Sequence, residues 1–327
     1  MAYTMKKDYI DQLDALLEDP SAEGAPRAAV PQGGFGLLLA VADDDFAPAA
    51  IKVAAALQAR RAAKPSVLYV IEVGAAVPEA AMVAVTLEEQ LRDPELRTKQ
   101  ETEMRETLHL VEGAPATWPF SIAVGSVAST VVENATAQGA ELIVMGLNRH
   151  AAIGRAIGND TVREVMALGG LPVLAVRPQL YDLPKVVVAA VDFSRASVRS
   201  AHLARRLMDE RGTLHLVFVE AGLLDDRTEA MEGQNLIRTR GVAAAFEQLV
   251  AELRAADGLT IETTTLRGNP VAEITRYCER VRPDMVAIGS QRHRFLDRLL
   301  LGSVARSFAG DGRWSTLVTP PERKTRP

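Results

Sequence analysis

The chain has 327 residues, 48% of them hydrophobic and 24% charged, with a net charge of −5. That length suits two ordinary domains. The acidic balance gives no electrostatic footprint for nucleic acid, and no apolar run approaches the ~20 residues that cross a bilayer. The amino terminus lacks the basic-then-apolar layout of a secretory signal, so a cytoplasmic protein is expected.

In chain order, Met5, Tyr9, Leu13, Leu16 and Leu17 form one face of a short helix over residues 1–19, ended by Pro20. That helix either packs on its own domain or docks a partner. An Ala/Gly/Pro-rich linker follows, so residues 1–34 form a helix-and-linker arm. Residues 35–178 read as a first domain. Its strands are 37–42, 66–73, 119–124, 141–145 and 172–176. Its helices are 46–61, 86–111 (with Pro94 as a break), 128–138 and 160–168. A short join leads to a second domain over 185–321. Its strands are 186–191, 213–219, 260–266, 284–288 and 315–319, and its helices are 194–211, 228–257, 271–280 and 303–308. Trp118 and Trp314 stand at or before strand starts and are expected to pack. Cys278, the single cysteine, reads as a small buried helix residue. Apolar strands alternating with helices predict an open parallel sheet covered on both faces in each domain.

The chain repeats itself. Gly146-Leu147-Asn148-Arg149-His150 and Gly289-Ser290-Gln291-Arg292-His293 each follow a buried strand, and positions 146 and 289 are 143 apart. The same offset pairs Gly125 with Gly268, Arg155 with Arg298 and Leu174 with Leu317. An ungapped repeat of this length means two copies of one domain.

Chemistry is expected at the carboxyl ends of the strands, where the strand order reverses. In copy two Asp192 ends strand one. Its carboxylate either accepts hydrogen bonds from ribose or adenine, or closes the turn into the next helix. Gly302 and Ser303 open a helix whose free N–H groups and dipole suit a phosphate, although a Gly turn with a Ser cap reads the same way. His150 and His293 read as exposed loop residues without the further ligands a metal needs. No Gly-x-Ser-x-Gly elbow, Walker loop or zinc-type cluster occurs. No catalytic residue and no metal site are therefore assigned.

The Asp at the end of strand one, Gly268-Asn269-Pro270 after strand three, and Gly289 followed at a distance by Gly302-Ser303 resemble the universal stress protein domain. The chain resembles a tandem of two such domains. The resemblance implies two five-stranded parallel sheets of order 3-2-1-4-5, paired through their last strands. It implies a non-enzymatic stress-response regulator or adaptor with an unidentified protein partner, and it allows a homodimer. It also implies ATP in the second domain. There adenine and ribose would meet Ala190, Asp192, Val219 and Ile288, and phosphates would meet Gly289, Gln291, Gly302, Ser303 and Val304. Arg292 departs from the pattern, standing where nucleotide-binding members have Gly. Its side chain either blocks the phosphates or grips them. Arg149 holds the same place in copy one, so a structural role in both copies is a third reading.

In copy one Ala42 replaces the strand-one Asp, Asn159 the Gly and Asp160 the Ser. A carboxylate ~4 Å from a phosphate charge costs about 4 kcal/mol near a protein surface. No nucleotide is expected there. Two other readings stand beside the ATP sensor: a nucleotide-free interaction module and a slow ATP hydrolase.

Overall fold

The computed structural model describes residues 34–41, 47–72, 93–112, 114–147, 159–168, 170–220, 229–254, 258–290 and 302–321. The amino-terminal helix, most of the linker, Ala42, Arg149, His150, Arg155, Gln291, Arg292, His293 and Arg298 lie outside these residues. Contacts divide the chain into two compact units, one of 1–30 with 223–252 and one of 31–222 with 253–327. The described part of the first unit is helical, within the helix Glu229–Leu253.

The second unit contains both copies. Copy one runs β1 (Gly36–Val41), α1 (Ala47–Arg61), β2 (Lys64–Glu72), α2 (Pro94–Glu112), β3 (Phe120–Gly125), α3 (Val127–Ala137), β4 (Leu142–Gly146), α4 (Asn159–Leu168) and β5 (Val173–Val176). Copy two runs β6 (Val186–Ala190), α5 (Arg195–Leu207) and β7 (Thr213–Glu220), then the helix of the first unit as α6, then β8 (Thr260–Arg267), α7 (Pro270–Val281), β9 (Met285–Gly289), α8 (Ser303–Asp311) and β10 (Ser315–Thr319).

The strands form one sheet of order β3-β2-β1-β4-β5-β10-β9-β6-β7-β8. Within each copy the order is 3-2-1-4-5 and the pairing parallel. The two last strands pair antiparallel, with Leu317 opposite Leu174. Inner strands are apolar along their length because both faces are covered: Leu37–Val41 and β10 are buried throughout. The outermost strand β8 is Thr-rich and alternates between exposed and half-buried residues. One core layer joins Leu38, Val131, Val165, Ile274, Val286, Phe308 and Val318 across both copies. Trp118 and Trp314 are buried, as expected of packing residues, and so is Cys278. Burial pushes the Cys278 thiol up to about 12, which makes it a poor nucleophile.

Two local expectations change and a third is met in its described part. Of the helix expected over 86–111, residues 86–92 lie outside the described residues, and the described helix starts at the expected break, Pro94, where Asp93 accepts a hydrogen bond from the Glu95 N–H at 2.9 Å. Proline fits a first helical position because its missing N–H would be unpaired there anyway. Helix α5 stops at Leu207, short of Arg211. Its carboxyl end is held by the other copy: Arg61 donates to the Arg206 carbonyl at 2.9 Å, the Met208 carbonyl at 2.6 Å and the Glu210 carboxylate at 2.7 Å. A guanidinium satisfies carbonyls that a helix end leaves unpaired.

The second change concerns the repeat, which is gapped. Leu37 pairs with Leu142 and Val187 with Met285, so strand one recurs after 150 positions and strand four after 143. Most of the difference lies between strands two and three. Glu72 pairs with Gly125, 53 positions on, and Glu220 with Arg267, 47 positions on. From strand three onward the described elements of the two copies fall at matching positions. Gly125 and Gly268 both take positive φ, at 153° and 136°. Gly139 and its counterpart Arg282 are both left-handed, at 64° and 50°, although only glycine adopts that region without strain.

Candidate functional site

The carboxyl edge of copy two gathers most of the expected residues. Ala190 and Ile288 are register partners at the ends of β6 and β9, the neighbouring strands between which the order reverses. Ile288 is buried, while Ala190, Val219 and Val304 are half-buried against the core layer. Gly302 and Ser303 begin α8, which packs on β9. Gln291 and Arg292 lie outside the described residues, so the two readings of the arginine stay as proposals.

Asp192 takes the turn-closing role. Its Oδ1 accepts from the Ser194 N–H at 3.0 Å and from the Ser194 hydroxyl at 2.6 Å. The Asp192 N–H donates to Ser197 Oγ at 3.2 Å, and the Ser197 N–H donates to Ser194 Oγ at 3.3 Å. This network caps α5 and orders the chain just past β6. Between its members Phe193 sits at φ 59°, a left-handed conformation that costs a non-glycine residue of order 1–2 kcal/mol. The spacing Asp-x-Ser-x-x-Ser is the signal that reveals this network. Sequence reasoning singled out only its first member.

The two glycines of the motif have different reasons. A Cβ on Gly289 would lie 2.4 Å from Ser197 N and 2.5 Å from the Ala196 carbonyl carbon. The end of β9 therefore touches the backbone of α5, and Gly289 is required by that contact alone. A Cβ on Gly302 meets no described atom within 4 Å. At φ −56° and ψ 158° its backbone would accept any residue. Among the described residues no side chain caps α8 at this end, and Gly302 and Ser303 are both exposed. The first N–H groups of α8 thus face outward at the positive end of the helix dipole. Such an end can take an oxyanion, with the Ser303 hydroxyl beside it.

In copy one, Asn159 and Asp160 begin α4 at the equivalent place. The acidic run Asp43-Asp44-Asp45 lies outside the described residues. Among the described residues no group of three His, Cys, Asp or Glu side chains is placed to hold a metal, and no helix is long and apolar enough to cross a membrane. Copy two also holds two buried hydroxyls, Ser200 Oγ and Thr319 Oγ1, that find no hydrogen-bond partner among the described residues. Thr319 is the register partner of Gly289.

A twofold-repeated α/β sheet, of order 3-2-1-4-5 in each copy, defines the class: a tandem, Rossmann-like α/β protein. The universal stress protein family profile matches twice, over residues 37–177 and 184–320. The chain belongs to the universal stress protein family, which places it in a stress-response role. It is similar to universal stress protein MJ0531 of Methanocaldococcus jannaschii, 33% identical over 67 residues, covering 20% of this chain and 39% of that protein. The chain thus spans well under two thirds of that curated relative's length. Among solved structures it resembles a universal stress protein of Archaeoglobus fulgidus, with a TM-score of 0.56 at 15% identity, over 87% of this chain and 98% of that one. It also resembles the functionally unknown protein PA1789 of Pseudomonas aeruginosa, with a TM-score of 0.54 at 17% identity, over 88% and 92%. At these identities the likeness speaks to fold alone.

Proposed function

We propose that the chain is a cytoplasmic, non-enzymatic stress-response regulator whose second copy binds ATP and whose first copy binds none. The observation that carries this reading is Gly302. Neither backbone strain nor packing against described residues requires a glycine there, and a residue without a side chain lets a phosphate approach the backbone closely. Ala190, Val219 and Ile288 supply the apolar wall for adenine. The carboxylate of Asp192, already oriented by Ser194, stands at the strand end for ribose. Gly289, Gln291, Gly302, Ser303 and Val304 line the phosphate side, with Arg292 as a gripping cation. In copy one Asp160 opposes phosphate charge. The domains we assign are the arm 1–34, the degenerate copy 35–178 and the binding copy 185–321. The output is contact with another protein, and no nucleic acid is involved.

A second reading, a nucleotide-free interaction module, is favoured by a specific pair of observations. Asp192 is engaged in capping α5, and Gly289 is explained by its contact with Ser197. Titration calorimetry of the full chain with Mg-ATP separates the two. Saturable binding of one nucleotide per chain in the micromolar range, about −8 kcal/mol, supports the sensor. No heat and no bound nucleotide at millimolar ATP support the module.

A further inference from the structure

Copy two contains a buried titratable group that the crevice does not use. His215 on β7 is 6% exposed. Its Nδ1 lies 3.1 Å from Tyr277 Oη on α7 and 3.2 Å from Glu262 Oε2 on β8. Tyr277 Oη lies 3.2 Å from Thr264 Oγ1, also on β8. The Tyr277 ring meets the imidazole edge-on at 5.8 Å, and the Arg280 guanidinium covers the Tyr277 ring at 4.7 Å. One imidazole thus ties an inner strand, a helix and the outermost strand together. The charged or titratable groups that face it are Glu262 from β8 and Tyr277 and Arg280 from α7. On β6 its register partner is the apolar Val188.

The arrangement fixes the protons. With Glu262 ionised, Nδ1 must carry a hydrogen for its contact with that carboxylate to be favourable, which leaves Nε2 for an added proton. An imidazolium there is a buried cation with a second cation nearby. Water reaches it most readily if β8 comes away, because among the described strands β8 pairs with β7 alone. We propose that the His215–Tyr277–Glu262–Thr264 cluster is a proton-operated latch that holds β8 on β7 in neutral conditions and releases it in mild acid. Release uncovers the N–H and C=O groups of β7, a surface that accepts another extended strand.

The direction of the titration agrees. Burial lowers the His215 pKa below its ordinary 6.5, Glu262 opposes that and Arg280 adds to it. A depressed folded-state pKa means the latch contributes fully above pH 6.5. Its contribution is lost as pH falls from there through the folded-state value. The loss is about tenfold in the closed-to-open ratio for each pH unit crossed between the two.

Hydrogen exchange of the full chain, corrected for intrinsic rates, tests this at pH 7.5, 6.5 and 5.5. Peptides over 260–267 should lose protection by about tenfold on acidification while those over 36–41 do not. His215→Gln, which cannot titrate, should abolish the pH dependence. Glu262→Gln, at an exposed position that leaves the core intact, removes the charge that favours the imidazolium in the closed state and should deepen the acid-induced loss of protection. Protection of 260–267 that is equal at all three pH values overturns the latch. So does a pH dependence that survives His215→Gln, or an acid-induced loss that is no deeper in Glu262→Gln.

Discussion

The two copies share a backbone and differ in what their switch-point ends can hold. Copy two keeps Gly302-Ser303 at an open helix start. Copy one puts Asn159-Asp160 there and Ala42 in place of Asp192. The lesson is that the fold does not need the motif. Asn and Asp begin α4 as readily as Gly and Ser begin α8. Of the motif glycines Gly289 and Gly302, it is Gly289 that stands where packing itself demands glycine.

The largest test of that distinction is Gly289→Val. A side chain 2.4 Å from the α5 backbone must push the helix off β9. We expect about 3 kcal/mol or more of destabilisation in denaturant melts, whereas Gly302→Ala stays within about 0.5 kcal/mol. Comparable losses for both would mean the two glycines share one role. Next comes the seam between the copies. Arg61→Ala removes three hydrogen bonds from a largely buried guanidinium and strands two carbonyls at the end of α5. A loss of about 2 kcal/mol is expected by the same melts. Ser303→Asp gives copy two the acid of copy one. ATP affinity measured by calorimetry should fall at least about tenfold, near 1.4 kcal/mol, with the melting temperature little changed.

The smallest effect runs the other way. Ser200 and Thr319 correspond to Ala50 and Val176 of copy one, which are equally buried. Ser200→Ala with Thr319→Val replaces two hydroxyls that have no partner among the described residues by apolar groups and should stabilise by about 1 kcal/mol. A rise of a few degrees in the melting temperature would register it. A fall would mean that these hydroxyls hold something in the folded protein.

Strand runs such as Leu37–Val41 and the glycines at 125 and 268 made the duplication and the sheet legible from sequence. Apolar burial and positive φ leave residue-level traces. Where elements end was less legible, because tertiary contacts set it. Nothing within α5 says that Arg61, from the other copy, will grip its last carbonyls. The gap between copies was hidden because the aligned residues came from strand three onward, and the extra chain precedes it. At the crevice, residue types told where a ligand could sit but not which partners they already have. Asp192 illustrates this, since its turn with Ser194 and a contact with ribose draw on the same carboxylate. The His215 cluster left no motif at all. Its members lie on β7, β8 and α7 and meet only when the outer strands pair.

The antiparallel seam of β5 with β10 joins halves carried on one polypeptide, connected by the short stretch between Val176 and Val186. Association of the halves is therefore unimolecular, so dilution cannot pull it apart. The melting midpoint should be the same from nanomolar to micromolar chain, as it cannot be where separate subunits meet at such a seam. The half that begins its helix with Asn159-Asp160 thereby remains a permanent neighbour of the half that begins it with Gly302-Ser303, at any level of expression.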